Sequence, residues 1–170
     1  MIDTERLVLR LPRPEDASEL LEAFADPEAM RYIGDGSTTD LAGAEGAVAR
    51  WLERWEAWGI GMFVLERREV GRVLGRAGFL RWDPETWEIG GSETEIGWAL
   101  AREHWGQGYA TEAALALRDW AIAERGLTRL ISLIQPGNVP SVRVAEKIGE
   151  TLDREVVVRD RPTLLYSTEL

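Results

Sequence analysis

Hydrophobic positions recur along the chain with two different periods, which predicts a mixed α/β fold. Between residues 39 and 57 the apolar positions follow one helical stripe, made by Leu41, Ala44, Val48, Trp51, Leu52 and Trp55. Further helices are predicted near 16–25, 109–125 and 139–148, and strands near 5–10, 60–66, 73–82, 94–100, 129–135, 152–159 and 163–169. Antiparallel strands followed by a strand–helix–strand crossover predict one α/β domain over 1–170, with a mostly antiparallel sheet of about seven strands flanked by helices.

A loop bracketed by glycines follows the strand predicted at 94–100. Gly106 and Gly108 allow positive φ angles and a close approach of the backbone to a ligand, and a helix begins near Tyr109. The first N–H groups of a helix lack internal partners and lie at the positive end of its dipole, so this junction suits a phosphate or pyrophosphate. A tight turn without any ligand fits the same residues, and the loop alone leaves both interpretations open.

A second segment, from Asn138 to Gly149, has its own helix signals. Asn138 is a suitable N-cap, Pro140 fits the first turn, and Gly149 stands where a left-handed helix stop is expected. The preceding apolar strand and this helix repeat the strand-to-helix order of the first segment.

These segments, in this order, resemble the GNAT superfamily of acyl-CoA-dependent N-acyltransferases, in particular its branch similar to ribosomal-protein N-terminal acetyltransferases. The resemblance begins at residues 3–20, continues through 95–113 and ends at 138–149. It implies a GNAT-like fold that transfers an acetyl group from acetyl-CoA to a primary amine, either a protein N-terminus or a small molecule. The amine would attack the thioester directly in a ternary complex, without a metal.

The resemblance also implies a cofactor site. The superfamily's loop pattern, Arg or Gln, two residues, Gly, one residue, Gly or Ala, falls on Trp105, Gly108 and Ala110, and Trp105 departs from the usual polar residue. Backbone amides do most of the binding in such a loop, so any residue can supply them. The predicted pyrophosphate ligands are Gly106, Gln107, Gly108, Tyr109, Ala110 and Thr111. Trp98, Ala99 and Leu100 would pair their main chain with the pantetheine arm of coenzyme A, and Asn138 completes the predicted cofactor set.

Two side chains are candidates for moving protons. Many members of the superfamily use a Tyr as the acid for the departing thiolate, and Ala145 occupies that place here; by resemblance Ser141 takes over. A Ser three residues past an N-cap also commonly satisfies a helix end, so its role stays open. Glu95 is the candidate base, by resemblance on the strand beside the thioester, with Glu93 on the same side of the strand.

Other features of the chain set limits on this hypothesis. His104 is the only histidine and belongs to the predicted cofactor loop, so we expect it to be structural. Without cysteine or a second histidine no transition-metal site is expected. By resemblance, the segment that joins the first strand to the second forms part of the acceptor wall, so that Trp51, Trp55 or Trp58 would reach the groove. The segment from Asp83 to Glu93 reads as a surface connection that gates substrate entry or merely lengthens a hairpin.

Composition narrows the partners. A chain of 170 residues with 45% hydrophobic residues supports a substantial core. No apolar stretch approaches the length of a membrane span, and the charged N-terminus lacks the apolar block of a signal peptide, so we expect a cytoplasmic protein with no membrane partner. The formal net charge of −10 argues against nucleic acid and is compatible with a cationic acceptor. Eight tryptophans leave room for a homodimer face.

Two alternatives from other classes remain. The chain is compatible with a non-catalytic regulatory module that binds acyl-CoA, because Ala145 stands at the usual position of the acid. A nucleotide-binding protein would use the same glycine loop for another phosphate, although the Gly-Lys-Ser/Thr ending of a P-loop is missing. The sequence leaves the acceptor amine, the acyl chain preference and the oligomeric state undetermined.

Overall fold

The structure, a computed structural model, describes residues 1–83 and 92–169. The strands are β1 Ile2–Asp3, β2 Leu7–Arg10, β3 Met62–Arg67, β4 Arg72–Trp82, β5 Glu93–Leu100, β6 Arg129–Ile134, β7 Thr151–Val158 and β8 Arg161–Glu169. The helices are α1 Asp16–Phe24, α2 Pro27–Met30, α3 Leu41–Trp58, α4 Tyr109–Arg125 and α5 Val139–Lys147. The connection predicted from Asp83 to Glu93 falls mainly on 84–91, which lie outside the described residues.

All eight strands belong to one sheet, in the order β1-β2-β3-β4-β5-β6-β8-β7. Every neighbouring pair is antiparallel except β5 and β6, which are parallel because α4 crosses over between them. The predicted fold class is therefore confirmed. The eighth strand is the two-residue β1, too short for a periodic signal, and the four-residue α2 was likewise not predicted.

Helices cover both faces of the sheet. Apolar side chains of α1 and α3, including Leu20, Val48 and Trp51, pack on one face, whereas α4 packs on the other. The small residues Ala113, Ala114 and Ala121 of α4 are fully buried and let the helix approach the strands closely. Among the described helices none is long and apolar enough to cross a membrane.

The sheet opens between its two parallel strands. In the described residues, pairing between β5 and β6 is confined to Glu95 and Ile131, and the Ser132 hydroxyl donates to the Ile96 carbonyl at 3.0 Å beside it. On its other side β5 stays paired with β4 as far as Leu100. Beyond Ile96, β5 and β6 therefore diverge, and one edge of β5 faces a gap.

Candidate active site

Six consecutive backbone amides between β5 and α4 form a candidate anion site. In the described part of the chain, no backbone N–H from Gly106 to Thr111 donates a hydrogen bond to the protein, and helical bonding starts with Glu112 N–H to Gly108 O at 3.0 Å. Gly106 and Gly108 have φ angles of 73° and 84°, and successive N–H groups in turns of this kind are typical of anion-binding backbone. The positive end of the α4 dipole adds to the attraction for a phosphate.

Side chains hold this amide loop from both flanks. Arg6 donates to the Gln107 carbonyl at 2.9 Å and to Glu112 at 2.7 Å, and its guanidinium stacks on the Tyr109 ring. Burial tends to raise the pKa of Glu112, but hydrogen bonds from Thr4 and Arg6 outweigh it and lower that pKa. The carboxylate thus stays ionised and ties the N-terminal segment to α4. Tyr109 is itself buried, so it offers the loop its N–H rather than its hydroxyl.

The main chain of β5 presents one residue squarely to the gap. Ala101 N–H donates to Leu74 O on β4, whereas Ile96 O accepts a hydrogen bond from Ser132 on β6. The main-chain N–H and C=O groups of even-numbered residues of β5 therefore point toward the gap. The N–H and C=O of Trp98 therefore face it. The Leu100 carbonyl accepts a hydrogen bond from the Trp105 indole at 2.8 Å, so only the N–H of Leu100 is left to face the gap. Ala99, the third predicted pantetheine contact, instead directs its main chain at β4 because it pairs there with Arg76.

The N-terminus of α5 brings Ser141 to the same gap. Asn138 is the N-cap, and its side chain accepts from Ser141 N–H at 3.3 Å. The Ser141 hydroxyl, by contrast, makes no hydrogen bond to any described residue, so it is not needed to satisfy the helix end. At the other end of α5, Gly149 has a φ of 92° and the following Glu150 turns inward with its N–H on Ala145 O.

Glu95 lies on the face of the sheet that α1 and α3 cover, because its partner on β4, Leu80, packs in the cluster of those helices. Burial raises the pKa of its carboxyl to about 7, although the Trp82 indole and the positive charge of Arg76 oppose the shift. The indole donates to one carboxyl oxygen at 2.7 Å. A carboxylate with such a pKa is poised to accept a proton near neutral pH.

A cavity of about 190 Å³ passes through the gap and joins these groups. Glu95, Trp98, Asn138 and Ser141 all line it, so the structure brings both candidate proton carriers to one space. Tyr32 also lines this cavity, and a Cβ at Gly137 would meet its hydroxyl at 2.8 Å. This second hydroxyl near the α5 N-terminus was missed by the sequence reasoning, because it lies far from any motif.

A second cavity of about 720 Å³ lies between α3, β4 and the β7–β8 turn. It shares a wall with the smaller cavity, including Met62, Arg76 and Trp82. Of the three tryptophans proposed for the groove, Trp51 and Trp58 line this cavity. Trp55 does not: it packs against Phe63 in the core and donates to Met62 O at 2.7 Å.

The remaining chemical candidates contribute little to this site. His104 lines neither cavity, and burial lowers its pKa, which favours the neutral imidazole. Glu93 pairs with Arg129 at 3.4 Å. In residues 1–83 and 92–169, no group of three or more acidic or histidine side chains is arranged to hold a metal ion.

Comparison with known proteins agrees with this geometry. A family model described as an acetyltransferase (GNAT) domain matches residues 6–151. The uncharacterized protein YkkB of Bacillus subtilis is 34% identical over 165 residues, 96% of this chain and 92% of that protein. The uncharacterized N-acetyltransferase p20 of Bacillus licheniformis is 31% identical over 157 residues, 92% of this chain and 84% of that protein. Among solved structures, an acetyltransferase from Agrobacterium tumefaciens is 34% identical with a TM-score of 0.83, covering 99% of this chain and 94% of that chain.

Proposed function

The chain belongs to the GNAT acetyltransferase family, and on that premise we propose that it transfers the acetyl group of acetyl-CoA to a primary amine by direct attack in a ternary complex. The observation that carries this proposal is the run of six unpaired amides beside an open strand edge, with a carboxyl and a free hydroxyl meeting in the same cavity. All strands lie in one sheet, which supports treating residues 1–170 as one acyltransferase domain.

Coenzyme A fits this site in two parts. The amides from Gly106 to Thr111 would take the pyrophosphate, and the main chain of Trp98 would bond the amides of the pantetheine arm as an added strand. A protein with the same fold, the ribosomal L7/L12 N-terminal acetyltransferase RimL, was solved in complex with coenzyme A; it is 15% identical with a TM-score of 0.81, covering 98% of this chain and 96% of that chain. That likeness concerns the fold.

The reaction forms a C–N bond and breaks a C–S bond. The amine attacks the thioester carbonyl, Glu95 accepts the proton that the nitrogen loses, directly or through a water, and the sulfur leaves as a thiolate. Ser141 donates a hydrogen bond to that sulfur. Acid and base groups of this kind contribute about 10²–10⁴-fold, and holding both substrates in one groove contributes on the order of 7–11 kcal/mol.

A non-catalytic module that binds acyl-CoA is the second candidate, because Ala145 occupies the superfamily's usual acid position. It shares the amide loop and differs only in turnover. The free hydroxyls of Ser141 and Tyr32 in the small cavity favour the enzyme, since each is available to the leaving sulfur.

Two measurements on the purified full chain test the proposal. Calorimetric titration with acetyl-CoA should give saturable heat, and a thiol-release assay should give coenzyme A only when an amine is added. Absence of heat would refute the cofactor site. Heat without thiol release from any amine in a broad panel would instead establish the non-catalytic module.

A further inference from the structure

The wall of the larger cavity is strongly cationic. Among the described residues, Arg50, Arg54, Arg76, Arg81 and Arg159 line it, against the single carboxylate of Asp83. The whole chain carries a formal net charge of −10, so this wall reverses the sign of the molecule locally. A cavity focuses the potential of the charges that line it, and the local sign therefore decides which ligand enters.

These guanidinium groups come from three distant parts of the chain. Arg50, Arg54 and Trp58 follow one another at intervals of four on α3, so they form a stripe beside the buried one. Arg76 projects from β4, and Arg159 projects from the two-residue turn between β7 and β8. The fold, rather than their order along the chain, therefore brings these five arginines together around one cavity.

Most of these positive charges have no carboxylate partner. Within residues 1–83 and 92–169, no acidic side chain lies within 4.0 Å of Arg50, Arg54, Arg76 or Arg159, whereas the structural Arg10 pairs with both Asp16 and Glu66 at 2.7 Å. Burial, and then the like charges of Arg50 and Arg159, lower the pKa of Arg54. The fold therefore keeps these cations without a carboxylate in direct contact, and a bound anion would stabilise them.

Tryptophan rings hold the guanidinium groups in position. The Arg76 guanidinium lies 5.9 Å from the Trp51 ring centre, and those of Arg54 and Arg81 lie 5.9 and 5.7 Å from that of Trp58. The Arg159 guanidinium lies 5.7 Å from the Trp82 ring centre. Stacked arginines lose less conformational freedom when they bind carboxylate or phosphate, so the site is partly organised in advance.

The cationic cavity and the candidate base share a wall. Arg76 and Arg159 line both cavities, and their positive charges act on the carboxyl of Glu95. A volume of about 720 Å³ suits a small molecule or a chain end. Resting on the proposed function, we propose that the acceptor is an amine that carries an anionic group, a carboxylate or a phosphate, bound by these arginines while its nitrogen faces Glu95. This proposal differs from the cationic acceptor with which the net charge of the whole chain is compatible.

The β7–β8 turn offers a variant that separates binding from folding. Arg159 and Asp160 have φ angles of 50° and 61°, which L-residues other than Asn and Asp rarely adopt. Arg159→Gly removes the guanidinium and also relieves this turn, so it should melt no lower than the wild type. Arg54→Gln removes a second guanidinium from α3. Arg13→Gln is the matched control, because Arg13 is exposed and lines neither cavity.

The experiment compares acceptors in pairs that differ only in whether they carry anionic groups. Glutamate and Gly-Glu are assayed against their diamides, in which both carboxylates are replaced by amides, and O-phosphoethanolamine against ethanolamine, by thiol release with acetyl-CoA. We expect kcat/KM for the anionic members of one arm to exceed that of their neutral partners by about 10- to 100-fold, and the arm that responds identifies carboxylate or phosphate. Arg54→Gln and Arg159→Gly should raise KM for the anionic member about tenfold and leave KM for the neutral member unchanged. Arg13→Gln should alter neither KM.

Calorimetry with the same compounds keeps the test independent of turnover. Heat from an anionic amine that is lost in Arg159→Gly supports the inference even if no thiol is released, in which case the proposed function fails alone. Equal use and equal binding of anionic and neutral partners would overturn the inference and leave the acetyltransferase standing. A loss of acetyl-CoA binding in Arg54→Gln, matching its loss of turnover, would also overturn it, because the arginines would then serve the phosphates of coenzyme A.

Discussion

The amide loop at α4 and the arginine wall at α3 both attract anions, but their positive potential has different origins. At α4 the positive potential comes from backbone amides and a helix dipole, whereas at α3 it comes from guanidinium groups on long side chains. The amide loop depends on a few φ angles within six residues, and the arginine wall depends on residues from 50 to 159 meeting in space. This contrast fits the roles we propose: every enzyme that uses acetyl-CoA binds the same diphosphate, while the acceptor varies.

Replacing Gly108 by Val should give the largest effect of any single change at the amide loop. A β-branched residue is strained at a φ of 84°, so the backbone would rotate and turn the amides away from the candidate anion site. We expect acetyl-CoA binding to weaken by at least about 100-fold, roughly 3 kcal/mol, in calorimetric titration.

Gly126→Val is the matched control for this change. Gly126 has a φ of 61° at the other end of α4, and a Cβ there would meet nothing within 4 Å. It should cost similar stability and leave binding intact. Equal loss of binding in both variants would mean that the amide loop has no special part.

Glu95→Gln should lower kcat by about 10²–10³-fold at pH 8. With a pKa of about 7, Glu95 acts as a base only when deprotonated, so wild-type kcat should rise with pH through 7 and the variant should lose that rise. The deficit should therefore be small at pH 6 and largest above pH 7. Because a raised carboxyl pKa makes stability fall as pH increases through it, the neutral Gln should not destabilise the fold at pH 8.

Glu93→Gln provides the comparison on the same strand, since Glu93 lies on the same side of β5 but pairs with Arg129. It should keep the wild-type pH profile. If kcat of Glu95→Gln still rises with pH near 7, Glu95 is not the base.

Ser141→Ala should leave acetyl-CoA binding unchanged and lower kcat about tenfold. The α5 N-cap is Asn138, so the loss of this hydroxyl should not affect the melting temperature. Ser141→Thr should restore most of the rate. If Ser141→Ala retains full activity and Tyr32→Phe does not, the sulfur is served by the Tyr32 hydroxyl instead.

The contrast between the amide loop and the arginine wall also explains what the sequence could predict. The strand limits, the α4 crossover and the amide loop follow from local patterns such as Gly-x-Gly before a helix and Asn before Pro. The cationic wall does not follow from local patterns, because Arg54 and Arg159 become neighbours only after α3 and the β7–β8 turn have been placed on the sheet. The local signal for it was the spacing of Arg50, Arg54 and Trp58 at intervals of four, and the net charge of −10 favoured a cationic acceptor instead. The main chain of Ala99 faces β4, because only every second residue of a strand directs its N–H and C=O to the same edge, and its part in binding coenzyme A stays a prediction.

Arg6→Met should weaken acetyl-CoA binding about three- to tenfold, since the amides remain but their support is lost. The Arg6 guanidinium links the Gln107 carbonyl to Glu112, and both of these side-chain contacts disappear in the variant, whereas the backbone N–H of residue 6 keeps its bond to Glu112. Arg68→Met is the control: Arg68 also belongs to an exposed ion pair with the N-terminal segment, through Asp3 at 2.9 Å, but does not contact the loop. Equal affinity for acetyl-CoA in wild type and Arg6→Met would show that the six amides hold their geometry unaided.

Glu150→Gln should have the smallest effect on catalysis and a clear effect on stability. Glu150 is 2% exposed, and neither of its carboxyl oxygens is hydrogen-bonded to a described residue. Burial raises its pKa to about 8; the Ser132 hydroxyl opposes this shift, and the negative charge of Glu95 adds to it. The folded state keeps this proton up to about pH 8, whereas the unfolded chain loses it above about pH 4.3, so the fold loses stability as pH rises from about 4.3 to 8.

A neutral amide at position 150 avoids that loss, so Glu150→Gln should raise the melting temperature by about 5 °C or more at pH 9 and change it little at pH 5. Glu146→Gln, an exposed carboxyl on α5, should shift it at neither pH. Since Glu150 acts on Glu95 through its charge, the variant also sharpens the comparison between the amide loop and the arginine wall. The kcat rise near pH 7 should move slightly toward lower pH, whereas acetyl-CoA affinity at the amide loop should stay the same. A lower melting temperature at pH 9 in Glu150→Gln would mean that the ionised carboxylate has a stabilising partner in the fold.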